Sequence, residues 1–109
     1  MRTLISDLTF GLEREFRKVF AERYDGDFQH NKMEGKGLYF WNTGKAYLGQ
    51  WKNDQMEGLG EFHWIDGSFY QGNYSKDERS GEGIMVWNYY RRYRGNFAFG
   101  MRHGYGESI

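Results

Sequence analysis

Few side chains in this 109-residue chain have types and spacings that could carry out chemistry. His30, His63 and His103 fall in separate stretches without the paired spacing of metal ligands, so packing or surface roles are expected for them. Gly35-Lys36-Gly37 and Gly44-Lys45 resemble fragments of a phosphate-binding loop. The full spacing is missing, however, and Ala46 stands where that loop needs a hydroxyl. There is no Gly-x-Ser-x-Gly elbow to present a nucleophile. Glu34 and Glu57 recur at an interval of 23, but Ser80 and His103 stand at the next two intervals, so no carboxylate pair for acid–base work is indicated. Asn73-Tyr74-Ser75 is a glycosylation sequon by letter, and without a secretory signal it is expected to stay unmodified. No catalytic residue, metal ligand or cofactor site is expected. The remaining candidate is a basic cluster, Arg91, Arg92, Arg94 and Arg102, of the chemistry that binds phosphoinositide headgroups or an acidic partner. Its competing role is a solvated edge whose guanidinium groups stack on exposed aromatic rings. The second role is preferred, because lipid-binding clusters usually place about 4–8 bases on one continuous face.

Composition bounds what could position such residues. The length fits one domain. The absence of Cys excludes disulfides, thiol nucleophiles and Cys-based zinc sites. Fifteen basic and fifteen acidic side chains cancel, so no global field steers nucleic acid or anionic lipid. No apolar run approaches the roughly 20 residues of a membrane span. The first twenty residues carry charges where a signal peptide has its apolar centre. A soluble, cytoplasmic protein is the expectation. Sixteen glycines beside 22 aromatic residues are the anomaly, since glycine-rich disordered chains are poor in aromatics.

A repeat resolves it. Tyr24, Tyr47, Tyr70 and Tyr93 lie 23 residues apart, each followed two positions later by Gly26, Gly49, Gly72 or Gly95, and four positions later by Phe28, Trp51, Tyr74 or Phe97. Glycine pairs recur in step: Gly35 and Gly37, Gly58 and Gly60, Gly81 and Gly83, Gly104 and Gly106. Trp41, Trp64 and Trp87 share a further column, and Gly44 and Gly67 follow three residues on, where the third unit has Tyr90. Tyr-x-Gly-x-aromatic alternates with period two, which puts those side chains on one face of a strand. Gly-x-Gly-x-aromatic-x-Trp describes a second strand, with Met85 replacing the aromatic residue in the third unit. Asn53-Asp54-Gln55 and Ser75-Lys76-Asp77 suit turns within units, and Asp66-Gly67 suits a turn between them. Each unit is therefore expected to be a β-hairpin. Four hairpins give about eight strands, or roughly 35–40 Å of sheet. Interior glycines weaken a sheet unless something lies on them, so a Tyr or Trp ring from a neighbouring strand is expected flat across each.

The run from Tyr47 to Gly60 through Gly49, Trp51 and Gly58, closed by Asp66-Gly67, resembles the MORN repeat (membrane occupation and recognition nexus). The resemblance covers residues 24 to 109 as units 24–46, 47–69, 70–92 and an incomplete 93–109. It implies an all-β fold, an elongated, twisted antiparallel sheet of stacked hairpins with an aromatic-and-glycine groove on one face. It also implies a non-enzymatic scaffold or adaptor, of the kind found in axonemal and cytoskeletal assemblies of the cilium, rather than an enzyme. Two departures stand out. Tyr89-Tyr90-Arg91-Arg92 replaces the turn glycine, so a different geometry is expected there. Arg79 and Ser80 replace the Met-Glu of earlier units.

The groove would be lined by Tyr47, Trp51, Phe62, Trp64, Tyr70, Tyr74 and Trp87, whose first role is packing. A single layer cannot bury both faces by itself, so part of this surface is expected to stay open for partner proteins, such as an amphipathic helix. The unfinished fourth unit leaves a sheet edge, expected to pair with a partner strand or a continuation of the protein. The alternatives are a peripheral membrane module using the arginine cluster, or a regulatory arm of a larger enzyme. Residues 1–23 lack the repeat. Leu8, Leu12, Phe16, Val19 and Phe20 form one stripe of a short N-terminal amphipathic helix, with Glu13, Arg14, Arg17 and Lys18 off it. Gly11 weakens that helix, and a degenerate strand over Phe16 to Phe20 competes with it. The helix would cap the first hairpin or lie in the groove.

Overall fold

The structure is a computed structural model that describes residues 22–108; the N-terminal helix expected above lies outside the described residues. Eight strands follow in order: β1 (Arg23–Gln29), β2 (Lys32–Phe40), β3 (Ala46–Lys52), β4 (Gln55–His63), β5 (Phe69–Ser75), β6 (Glu78–Val86), β7 (Arg92–Ala98) and β8 (Met101–Ser108). They form one open antiparallel sheet in sequence order, each strand pairing only with its neighbours in the chain. Such a meander follows from short connections, since antiparallel neighbours need only a tight turn. The largest extent is 39 Å, the length expected of the stacked strands.

Both kinds of connection follow local chemistry. Within units the turns are two residues long, His30-Asn31, Asn53-Asp54, Lys76-Asp77 and Phe99-Gly100, and both residues of each take positive φ. This is the geometry of type I′ hairpins, which match the natural strand twist. Between the first two pairs of units, Gly44 and Gly67 sit at φ of 96°, and their N–H groups donate to the carbonyls of Trp41 and Trp64 at 3.0 Å. The third connection differs, as the missing glycine predicts. The Asn88 side chain closes it by accepting from the backbone N–H of Tyr90 (2.8 Å) and Arg91 (3.0 Å).

Each hairpin contains a bulge that the alternation pattern does not reveal. Gly49 pairs with Gly60 and Trp51 with Met56, so three residues of β4 oppose the single residue Gln50. The same shift recurs in the other three hairpins. The polar side chain opposite the bulge captures its loose backbone groups. Gln50 Oε1 accepts from Leu59 N at 2.8 Å, Asp27 Oδ2 from Lys36 N at 3.2 Å, and Asn73 and Asn96 donate to the carbonyls of Glu82 and Tyr105. Shifting by two residues keeps the side-chain alternation in phase, so the faces are preserved on both sides of the bulge.

Candidate functional site

Register puts eight glycines in one line across the sheet: Gly26, Gly37, Gly49, Gly60, Gly72, Gly83, Gly95 and Gly106 are successive cross-strand partners. On the front face a tyrosine from the first strand of each hairpin lies over the glycine of its second strand. A Cβ at Gly60 would sit 2.2–2.4 Å from ring atoms of Tyr47, and Gly37, Gly83 and Gly106 stand in the same relation to Tyr24, Tyr70 and Tyr93. The rings that cover these glycines are all tyrosines, and each belongs to the glycine's own hairpin. Their hydroxyls donate to the backbone carbonyls of Asp27, Gln50, Asn73 and Asn96 at 2.8–3.0 Å. Burial pushes the phenols of Tyr24 and Tyr70 up to about 12, the neighbouring Asp27 charge adding to the effect at Tyr24, and burial raises Tyr47 and Tyr74 as well.

A second aromatic residue staples each unit to the one before. Trp51 meets Tyr24 and Tyr47 edge-on, Tyr74 meets Tyr47 and Tyr70, and Phe97 meets Tyr70 and Tyr93, with centroids 5.1–5.5 Å apart and planes near perpendicular. Each such pair contributes about 0.5–1.5 kcal/mol beyond its buried area. Trp51 Nε1 also donates to the Gly37 carbonyl at 3.0 Å. The consequence for the expected groove is direct: Tyr47, Trp51, Phe62, Tyr70 and Tyr74 are buried in the sheet's own core. Trp64 and Trp87 remain partly exposed along the rim, with Trp41. There Tyr39, Trp41, Phe62 and Trp64 form a tilted stack, and the Lys45 ammonium lies 5.3 Å from the Trp41 ring.

The arginine cluster divides. Arg91 and Arg102 stack on Trp87, their guanidinium carbons 4.5 and 5.6 Å from the ring centroid, and Arg102 also reaches Tyr93. Arg92 and Arg94 alternate with Tyr93 along β7 and occupy the back face, paired with Val86 and Ile84. The four therefore share no continuous face, because the strand period separates neighbours that the linear sequence groups together. His63 stacks on Phe69 and lies 3.3 Å from the Glu61 carboxylate. Among the described residues no group of three or more His, Cys, Asp and Glu side chains could hold a metal ion. Among them, too, no helix is long and apolar enough to cross a membrane.

Glu34 and Glu57, dismissed as catalytic carboxylates, have structural work that sequence reading missed. Each hairpin tip docks on the preceding unit. Glu34 Oε1 accepts from Asn53 N at 3.0 Å, Asp54 Oδ1 from Met33 N at 2.7 Å, and Asp54 N donates to the Met33 carbonyl at 3.1 Å. Glu57 and Asp77 repeat this on Lys76 and Met56. The signal was a Glu and a turn Asp at fixed spacing from one unit to the next.

A family model of the MORN repeat matches residues 24–46, 47–69, 70–88 and 93–108. The chain belongs to the MORN-repeat family. The third match stops at Asn88, where the arginine-rich connection departs from the pattern. MORN repeats are a non-catalytic module that mediates protein or membrane interactions. No curated protein matches this MORN chain.

Proposed function

We propose that this protein is a non-enzymatic scaffold or adaptor that binds other proteins through its last strand and through the tryptophan rim of its front face. One observation carries the reading: every residue of β8 is exposed, and its outer hydrogen-bonding row has no partner strand among the described residues. Tyr105 is 92% and Met101 68% exposed on that strand. An edge of this length is a template for strand addition unless it is protected. The glycine line continues to the edge at Gly106, so an added strand would meet the same flat backbone as those inside the sheet. Trp87, with Arg91 and Arg102 stacked on it, offers an aromatic and cationic rim beside that strand, and Trp64 continues the rim at the β4–β5 connection. The family resemblance favours a cytoplasmic setting, in a cytoskeletal or axonemal assembly of the cilium. The division of the arginines between faces weakens the lipid alternative, and a regulatory arm of a larger enzyme would use the same two surfaces.

The test is affinity purification from native cells with three proteins: the parent, a Met101→Lys/Tyr105→Lys edge variant, and a Trp64→Ala/Trp87→Ala rim variant. Circular dichroism checks that each is folded. Loss of a shared set of proteins from one or both variants is the expected result, and identical sets for all three would reject both surfaces.

A further inference from the structure

The back face carries an apolar patch whose burial the sheet alone does not explain. Leu38, Phe40 and Ala46 are 2%, 4% and 4% exposed, with Leu48 partly buried beside them. Register places these four on adjoining strands, Leu38 opposite Leu48 and Phe40 opposite Ala46. They lie on the face away from the tyrosine ladder, since they alternate with Gly37, Tyr39 and Tyr47. Among the described residues there is one sheet and no second layer over this face. The repeat supplies its own control. Ile84 and Val86 occupy the columns of Leu38 and Phe40 two units later, are also apolar, and stay only partly buried. Side-chain type and sheet geometry are therefore insufficient to bury this column. Arg23, over the Phe40 ring at 5.3 Å, covers one margin of the patch.

We propose that the occupant is the chain's own residues 1–21, laying the stripe Leu8, Leu12, Phe16, Val19 and Phe20 on this patch as a local second layer. Three observations converge on that segment. Arg23 pairs with Phe40, and the Tyr39 hydroxyl donates a hydrogen bond to the Glu22 carboxylate at 2.6 Å, so the chain reaches the sheet at the patch's own border. All four columns are apolar together only on β2 and β3, the strands nearest that point. The same four columns carry Glu61, His63, Phe69 and Gln71 in the next unit, and Ile84, Val86, Arg92 and Arg94 in the third. The segment's length also suits it. As a helix, the stripe from Leu8 to Phe20 runs roughly 18 Å, long enough to cross both β2 and β3, which lie about 4.8 Å apart. Its off-stripe residues Glu13, Arg14, Arg17 and Lys18 would then face water. Covering this patch shields the first unit, as terminal elements of repeat arrays commonly do. It also leaves the tryptophan rim and β8 free for partners.

The absence of native Cys makes disulfide trapping in the full chain clean. Leu8, Leu12, Phe16 and Val19 are changed singly to Cys in combination with Leu48→Cys on the back face, and in parallel with Trp64→Cys on the front face. An intramolecular disulfide for at least one Leu48→Cys pair, and for none of the Trp64→Cys pairs, is expected. Trapping to the front face, trapping only between molecules, or no trapping to Leu48→Cys at all would overturn the proposal. The middle outcome would assign the patch to a second copy. Hydroxyl-radical footprinting of a Leu12→Asp/Phe16→Asp variant provides a second readout. Oxidation of Leu38 and Phe40 should rise several-fold while Tyr47 and Tyr70 stay protected, and unchanged protection of Leu38 and Phe40 overturns the assignment.

Discussion

The first two junctions between repeats and the third have the same topology and loop length, yet they are held by different groups. At the first two, a carboxylate pair (Glu34 with Asp54, then Glu57 with Asp77) ties the incoming hairpin tip to the preceding unit. At the third, Ser80 and Gly100 occupy those positions. Gly100 N still donates to the Arg79 carbonyl at 3.1 Å, and the Arg79 guanidinium donates back to the Gly100 carbonyl while lying over the Tyr70 and Phe97 rings. Phe99 takes φ of 54° in that turn, a conformation costly for a bulky residue. The aromatic staple, by contrast, is the same at all three junctions. Packing therefore defines the repeat, while the polar latch is interchangeable, because a ring needs its glycine but the turn backbone is held either by an acceptor on its N–H or, as at Gly100, by a donor on its carbonyl.

The largest effect tests that division. Tyr74→Ala and Phe97→Ala each remove a staple between two tyrosines, and each should destabilise the chain by about 3–5 kcal/mol, measured by urea unfolding. A much smaller cost for Phe97→Ala would show that the third junction differs in its core as well as in its turn. Asp77→Ala comes next, at about 1–3 kcal/mol, since it leaves the half-buried Met56 N–H without its charged acceptor; Ser80→Ala should fall within roughly 0.5 kcal/mol of the parent. Grafting the earlier pattern onto the third junction, as Ser80→Glu with Phe99→Asn and Gly100→Asp, should stabilise by about 1 kcal/mol. A neutral or negative result would mean that the Arg79 arrangement is already equivalent.

The smallest effect concerns the loops between units. The Ser68 hydroxyl and then its N–H, donating to Asp66 at 2.6 and 2.9 Å, hold that carboxyl below the ordinary 3.8. A depressed folded pKa adds stability above the unfolded value that disappears as pH falls through the folded one. Amide exchange at Ser68 should thus become less protected below about pH 4, relative to Arg91, whose acceptor is the neutral Asn88. Equal loss at both amides would assign the change to the whole sheet.

Much of this architecture is legible in the sequence. A period of 23 carried by Tyr, Gly and aromatic columns is a local property, and two-residue alternation assigns faces without reference to the fold. The departure at Tyr89–Arg92 was visible for the same reason, since a missing turn glycine is a backbone constraint. The bulges were not legible, because a two-residue shift leaves the alternation intact. The role of Glu34 and Glu57 was half legible: their fixed spacing to a turn Asp is in the letters, but their partners are backbone N–H groups that carry no signature there.

The sequence by itself determined the repeating hairpin, its two faces and the absence of a recognisable catalytic constellation. Each of these depends on residue types at fixed short spacings. Only the tertiary structure decided which rings the sheet keeps for its own core and which arginines share a face. It also decided that Leu38, Phe40 and Ala46 are sealed while Ile84 and Val86 are not. Those outcomes depend on which strands lie side by side and on what covers them, and both are sums over neighbours distant in the chain.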